Sequence, residues 1–69
     1  MKGILVFCNG RPDVALRNGN LLGGLHCGDR FLCRIDGRWK IVRLELSDEW
    51  EMIEGNQRSA VPYGAEVEL

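Results

Sequence analysis

The residues best suited to chemistry are His26 and Cys27, which are adjacent in the sequence. A catalytic Cys–His pair needs the histidine within hydrogen-bond reach of the thiol and a third group that orients it. A Cys₃His zinc site would add Cys8 and Cys33, but no C-x-x-C spacing is present and adjacent side chains point apart. We therefore predict no catalytic residue, no metal site and no cofactor.

The same residues suit a structural turn made of His26, Cys27 and Gly28. In this interpretation His26 bonds the backbone of the turn, Cys27 packs inside, and Gly28 adopts a backbone conformation that other residues avoid. The three cysteines then behave as small hydrophobic residues. An odd number of scattered cysteines is a poor disulfide framework, which favours a cytoplasmic location.

A second candidate site is an acidic strip around Trp50, consisting of Asp48, Glu49, Trp50 and Glu51. Its carboxylates could bind a basic protein partner, as an acidic face does when it competes with nucleic acid for a nuclease channel. The alternative is an ordinary solvated face of a strand or helix. An exposed patch of Trp50 and Met52 ringed by acids would favour the partner.

A third candidate is a basic hairpin with one aromatic residue. An aromatic side chain can stack on a base while cations follow the phosphates, so this hairpin suits single-stranded nucleic acid. Trp39 beside Arg34 could also form a cation–π pair. The hairpin residues are Arg34, Arg38, Trp39, Lys40 and Arg43.

Charge is distributed unevenly along the 69 residues, although the net charge is only −1. Residues 1–44 hold eight basic and three acidic side chains, a balance of +5, whereas residues 45–69 hold one basic and seven acidic, a balance of −6. The two halves either form separate binding surfaces or pair across a sheet and cancel. Nucleic-acid-binding domains are usually strongly basic, which counts against the basic hairpin.

These side chains must be positioned by a hairpin centred on Asp36-Gly37, the strongest local signal in the chain. A two-residue turn places Ile35 opposite Arg38, Leu32 opposite Ile41 and Arg30 opposite Arg43. That last pair carries like charges, which a bulge or the nearby Asp29 and Glu45 would relieve. The predicted core face holds Phe31, Cys33, Ile35, Val42, Leu44 and Leu46, and the other face holds Leu32, Arg34, Trp39, Ile41, Arg43 and Glu45.

The remaining elements are short. Residues 3–8 form an apolar run that fits a strand covered on both faces, and residues 9–12 are turn material before a second strand over 14–17. Residues 21–22 begin another short strand. Residues 47–54 suit either a capped helix or a turn followed by a strand, and residues 55–63 suit a loop. The chain ends in an alternating strand over 64–69.

Five to seven short antiparallel strands with glycine-rich turns predict one all-β domain over residues 1–69, a small SH3-like barrel. No run is long enough to span a membrane. A barrel of this size rarely offers the cleft that acid–base catalysis needs, so we expect no enzyme.

Several motifs together resemble a small bacterial family, the domain-of-unknown-function family 5348. They are the Leu25-His26-Cys27-Gly28 turn, the W-x-x-x-R-x-E pattern from Trp39 to Glu45, the later Trp50, and the closing strand with Gly64 and Val67. The resemblance implies an all-β fold, a strand over residues 50–53, and a phage or mobile-element context, but no activity. The chain departs from the family pattern at Glu51 and in its longer polar loop at 55–61.

These observations lead to two functional hypotheses. The first is a non-enzymatic protein-binding module that acts on host machinery, such as a defence system, as an inhibitor or adaptor. The alternative is a nucleic-acid-binding module that uses the basic hairpin. Net acidity and the acidic second half favour the protein partner, whereas the Arg-Trp pairing favours nucleic acid.

Overall fold

The computed structural model describes residues 1–69, which form one sheet of seven antiparallel strands and no helix. The predicted all-β class is therefore correct. No helix long and apolar enough to cross a membrane is formed. The strands are β1 (Lys2–Cys8), β2 (Arg11–Leu16), β3 (Arg30–Ile35), β4 (Arg38–Leu46), β5 (Trp50–Glu54), β6 (Gln57–Ala60) and β7 (Glu66–Glu68).

The strand order is β2-β1-β7-β3-β4-β5-β6, and no ladder joins β6 to β2. The sheet is therefore open between these two edge strands. Although β3 follows β2 in the chain, β7 and β1 lie between them in the sheet.

The β3–β4 hairpin has the predicted register, with Ile35 opposite Arg38 and Leu32 opposite Ile41. Asp36 and Gly37 have φ angles of 51° and 78°, the left-handed conformation that a type I′ turn requires at both central positions. Local turn chemistry thus determines which face of each strand points inward, because a one-residue slip would exchange the two faces.

A bulge follows directly after the Arg30–Arg43 pair. The Leu44 carbonyl accepts from the Gly28 N–H at 2.7 Å, and the Leu44 N–H donates to the Asp29 carbonyl at 2.9 Å, so two residues face one. Arg30 and Arg43 remain opposite each other, and the Arg43 Nε lies 3.5 Å from the Glu45 carboxylate. Two of the expected sources of relief, a nearby bulge and Glu45, are present, whereas the Asp29 carboxylate lies beside His26 and not beside either arginine.

Inward-facing side chains from both ends of the sheet meet in one core. Most of the predicted core face of the β3–β4 hairpin belongs to it, but Leu46 is 50% exposed because it lies at the end of β4. The core cluster consists of Leu5, Val14, Leu25, Phe31, Cys33, Val42, Leu44, Met52, Val61 and Val67.

The β1–β2 hairpin corrects two expectations. Residues of β1 are not covered on both faces: Leu5 is buried, but Ile4 is exposed on the opposite face. Phe7 shares the face of Leu5 and is nevertheless exposed, near the end of the strand. The turn is also shorter than expected, because Asn9 and Gly10 alone form it and β2 begins at Arg11. Pro12 is tolerated there because β2 is an edge strand in the sheet order.

Residues 21–25 cover the outer edge of β2 instead of forming a strand of their own. The N–H groups of Leu22 and Leu25 donate to the carbonyls of Val14 and Pro12 at 2.9 and 2.8 Å. Only an isolated bridge between Ala15 and Leu21 is formed. The edge of β2 therefore has its backbone groups satisfied without a further strand.

Residues 47–60 form a turn and two strands, so the strand alternative for β5 is correct and the predicted loop over 55–63 is partly wrong. Residues 57–60 pair with β5 as β6, and all four are exposed. Because no apolar alternation marks this segment, the sequence pattern could not indicate a strand there.

Candidate functional site

An open cleft of about 750 Å³ lies where three separated parts of the chain meet. These parts are the end of the β1–β2 hairpin, the turn between β4 and β5, and the segment that follows β6. The lining residues are Phe7, Gly10, Leu46, Asp48, Glu49, Trp50, Ala60, Val61 and Tyr63.

The cleft presents large apolar side chains to solvent. Phe7 is 56% exposed, Leu46 50% and Tyr63 43%. The rings of Phe7 and Tyr63 meet edge to face, with centroids 5.6 Å apart and an interplanar angle of 79°, a favourable aromatic geometry. Desolvation raises the pKa of Tyr63, so its hydroxyl stays protonated and can donate a hydrogen bond at neutral pH.

Strand pairing explains why Leu46 and Trp50 share the cleft. They are directly opposite each other in the β4–β5 ladder, on either side of a short turn in which the Ser47 N–H donates to the Glu49 carbonyl at 3.2 Å. Trp50 is half-buried and also packs against the core. One face of its indole is thus held by the fold while the ring still lines the cleft.

The acidic strip divides between two faces of the sheet. Asp48, Glu49 and Trp50 line the cleft, whereas Glu51 points to the opposite face, because neighbouring residues of a strand alternate in direction. There Glu51 accepts from Arg58 at 3.1 Å and from the Ser47 hydroxyl at 3.0 Å. Met52 is only 2% exposed and belongs to the core, so the exposed patch of Trp50 and Met52 that would have favoured a protein partner is not formed.

Most acidic side chains of the second half of the chain lie beside a cation. Among the seven acidic side chains of residues 45–69, five lie within 4 Å of a cationic nitrogen, and only Asp48 and Glu49 have no such partner. The alternative in which the halves cancel therefore describes the acidic half, but five of the eight basic side chains of residues 1–44 have no ion-pair partner. The pairs are Arg43–Glu45 at 3.5 Å, Arg58–Glu51 at 3.1 Å, Lys40–Glu54 at 3.4 Å, Arg34–Glu66 at 3.4 Å and the Met1 amino group with Glu68 at 3.0 Å.

The basic hairpin is accordingly less basic than its sequence indicates, because Arg34, Lys40 and Arg43 each lie beside a glutamate. Arg38 is exposed and has no ion-pair partner, and Trp39 is 41% exposed. Arg34 is opposite Trp39 as predicted, but the cation over the indole ring is Lys2, whose Nζ lies 5.9 Å from the ring centroid.

Arg43 is held in an unusual way. Its Nε is buried and makes no hydrogen bond of good geometry, although the Glu45 carboxylate lies 3.5 Å away. Charge attraction therefore compensates this nitrogen without a directed hydrogen bond.

The His26–Cys27 segment is a type II turn. The Asp29 N–H donates to the His26 carbonyl at 3.1 Å, and Gly28 has a φ of 91°, the value this turn requires. The His26 N–H in turn donates to the Asp29 carboxylate at 2.8 Å. Gly28 has the expected unusual conformation, but Cys27 is exposed and does not pack inside, because it occupies the tip of the turn.

The cysteines occupy three different environments. Cys33 is fully buried in the core, where desolvation raises the pKa of its thiol, while Cys8 is half-buried and Cys27 is exposed. All three are free thiols. No three His, Cys, Asp or Glu side chains form a group that could hold a metal ion.

Sequence reasoning missed Phe7, Leu46 and Tyr63 as components of a site. Phe7 lies in an apolar run that indicated a covered strand, Leu46 falls on the predicted core face, and Tyr63 ends a predicted loop. The local sequence around each of these residues does not mark it as part of a binding site. Only the strand order brings them together.

The fold and the cleft define a small all-β domain with an exposed aromatic surface. The chain belongs to the family described as domain of unknown function DUF5348, whose sequence profile matches residues 3–68. The crystal structure of a protein from Ruminococcus gnavus is similar, with 30% sequence identity, a TM-score of 0.84 and 100% of both chains covered. No curated protein matches the chain.

Proposed function

We propose that this protein is a non-enzymatic protein-binding module and that the cleft is its interface. The observation that carries the proposal is the convergence of Phe7, Leu46 and Tyr63, each about half exposed, on one cleft. Exposed apolar groups of this size are costly in water, and aromatic residues are enriched at the centres of protein interfaces. A partner that covers these side chains would remove that cost.

We infer that the open sheet is a variant of the SH3-like barrel. Leu5 and Val14 from one end of the sheet share a core cluster with Leu44 and Met52 from the other end, which supports a strongly curved sheet. The cleft would then lie near the unclosed seam, since the β1–β2 turn and the segment after β6 both line it.

We further propose that the partner belongs to host machinery, such as a defence system, and that the module acts on it as an inhibitor or adaptor. Support comes from the mobile-element context that the family resemblance implies. A partner that binds across the cleft would be compatible with either role, because an inhibitor and an adaptor both require only stable association.

An affinity pull-down from host lysate, with and without nuclease, tests the interface. We expect a protein captured in near-equal amount, resistant to nuclease, and lost when Phe7→Ser and Tyr63→Ser are combined. Trp39→Ala is the matched control, since it removes an exposed aromatic residue outside the cleft. Circular dichroism melting of each variant checks that it folds.

Two results would contradict the proposal. One is a nuclease-resistant partner that the cleft variant still captures as well as the unaltered protein does. The other is the absence of any protein that is retained by the unaltered chain and lost by the cleft variant.

The second candidate function is nucleic-acid binding. The observation in its favour is the exposure of Trp39 beside the unpaired Arg38, with Lys2 over the indole ring. The pairing of Arg34, Lys40 and Arg43 with glutamates weakens it, because paired cations attract phosphate less. Capture that disappears with nuclease and with Trp39→Ala would favour this function over the first.

A further inference from the structure

The charge on the cleft identifies the chemistry of its occupant, and this step rests on the proposed protein-binding function. Asp48 and Glu49 line the cleft and are the two acidic side chains of residues 45–69 without a cationic partner. Every other carboxylate in that half is compensated within the chain. The uncompensated negative charge of the second half thus lies at the apolar cleft, where complementary charge would be supplied by a partner.

The aromatic residues of the cleft determine which cation fits best. A guanidinium is planar, donates in a fork to carboxylates, and stacks on aromatic faces, whereas an ammonium is a compact and strongly hydrated charge. Asp48, Glu49 and Trp50 line the same cleft. A cation bound among these residues would have two acidic residues and an aromatic residue as neighbours, a combination that favours arginine over lysine.

The size of the cleft indicates more than one side chain. A volume of about 750 Å³ is larger than one guanidinium needs, and Phe7, Leu46 and Tyr63 provide apolar contacts beside the carboxylates. We propose that the cleft binds a short extended segment of a protein partner that carries an arginine beside apolar residues. The guanidinium contacts Asp48 and Glu49, and the apolar side chains pack on Phe7, Leu46 and Tyr63.

The probe is a displayed library of random short peptides, selected on the immobilised full chain. We expect enriched peptides to place an arginine next to apolar residues. A synthetic copy of the most enriched peptide should bind about tenfold more weakly when its arginine is replaced by citrulline, which keeps the shape and removes the charge.

Variants of the protein locate the contact. The double variant Asp48→Asn with Glu49→Gln should also lose about tenfold in affinity and most of the salt dependence of binding. The matched control, Asp36→Asn with Glu66→Gln, makes the same change in net charge away from the cleft and should leave affinity unchanged. The combined Phe7→Ser and Tyr63→Ser variant should abolish binding.

The remaining outcomes overturn the inference in distinguishable ways. Enriched peptides that lack arginine, that use lysine equally, or that bind the Asp48/Glu49 variant normally exclude an arginine segment as the occupant. If those peptides still require Phe7 and Tyr63, the cleft remains an interface and the proposed function stands. If no peptide is enriched, or if the enriched peptides bind without Phe7 and Tyr63, a short arginine-bearing segment is not what the cleft binds.

Discussion

Asp13 shows how one side chain can hold two segments together. Its carboxylate is 3% exposed and accepts from the N–H groups of Val14 at 2.7 Å and Gly23 at 3.1 Å. Burial by itself raises the pKa of Asp13, but the hydrogen bonds from Gly24, Val14 and Gly23 bring the net value below its usual 3.8. The anion therefore fixes the loop that covers β2.

This lowered pKa predicts an acid-sensitive contribution to folding. Because the pKa is lower in the folded chain, the stabilisation is complete above pH 3.8 and is lost as the pH falls through the folded value. Asp13→Ala should lower the free energy of unfolding by about 1–3 kcal/mol at neutral pH, since three backbone N–H groups, one of them buried, lose their acceptor.

Urea unfolding at a series of pH values measures this effect. The difference in unfolding free energy between the unaltered chain and Asp13→Asn should be constant from pH 7 to about 5 and then shrink in more acidic solution. Asp36→Asn, in the exposed β3–β4 turn, is the control. A difference independent of pH down to the acid limit would show that the charge of Asp13 contributes nothing.

Asp13 could not have been identified from sequence. The sequence pattern placed it between the turn residues 9–12 and a strand over 14–17, a position that suggests nothing about burial, whereas it lies within β2. Its function depends on Gly23 and Gly24, which reach it only because residues 21–25 fold back along β2. Cys27 illustrates the converse error, because an apolar residue type in a turn was expected to pack inside.

At the scale of elements, the β3–β4 turn was easier to predict from sequence than the edge strand β6. Asp36-Gly37 determines the register of β3 and β4 through the backbone angles of two residues, so local chemistry is sufficient. The strand β6 has no apolar pattern and exists because it can pair with β5 after a tight turn. Its formation depends on the neighbouring strand more than on its own composition.

Close strand packing makes Gly3 essential to the β1–β2 hairpin. A Cβ atom added there would overlap Val14 Cγ1 and lie 2.6 Å from the Ala15 carbonyl oxygen. Because backbone must move to admit it, Gly3→Ala should lower the free energy of unfolding by about 1–3 kcal/mol. Chemical denaturation measures the change, with the exposed Lys2→Ala as control.

The sign of the change in unfolding free energy distinguishes a steric clash at Gly3 from the usual effect of replacing glycine by alanine. Alanine in place of glycine within a strand usually stabilises through the unfolded chain by about 0.4–1 kcal/mol when no clash occurs. A Gly3→Ala protein as stable as the unaltered chain, or more so, would show that β1 and β2 do not approach as closely as described.

At the scale of the whole molecule, the class of fold follows from alternation and turns, but the cleft does not. Phe7, Leu46 and Tyr63 belong to distant parts of the chain, and their meeting requires the order in which β7 lies between β1 and β3. No local pattern contains that order, because short strands of similar composition can be arranged in several ways. The acidic residues at 48 and 49 were recognised without the aromatic surface beside them.

Charge pairing is also a property of the whole molecule. The contrast between the two halves of the sequence left open whether they form separate surfaces or pair across the sheet. Strand pairing places four of the six glutamates of residues 45–69 beside cations of the other half. Each exposed pair adds about 0–1 kcal/mol to stability, so their main effect is on the surface potential. They leave Asp48 and Glu49 as the two acidic side chains of residues 45–69 that have no cationic partner.

The two tryptophans allow the central claim to be tested by one measurement. Trp50 lines the cleft and Trp39 lies on the basic hairpin, so their indole N–H signals in a ¹⁵N-correlated NMR spectrum report separately on the two surfaces. Trp39→Phe assigns the signals. When the captured partner is added, we predict that the Trp50 signal shifts or broadens while the Trp39 signal stays in place. A shift of Trp39 with Trp50 unchanged would contradict the cleft as the binding surface and favour the hairpin.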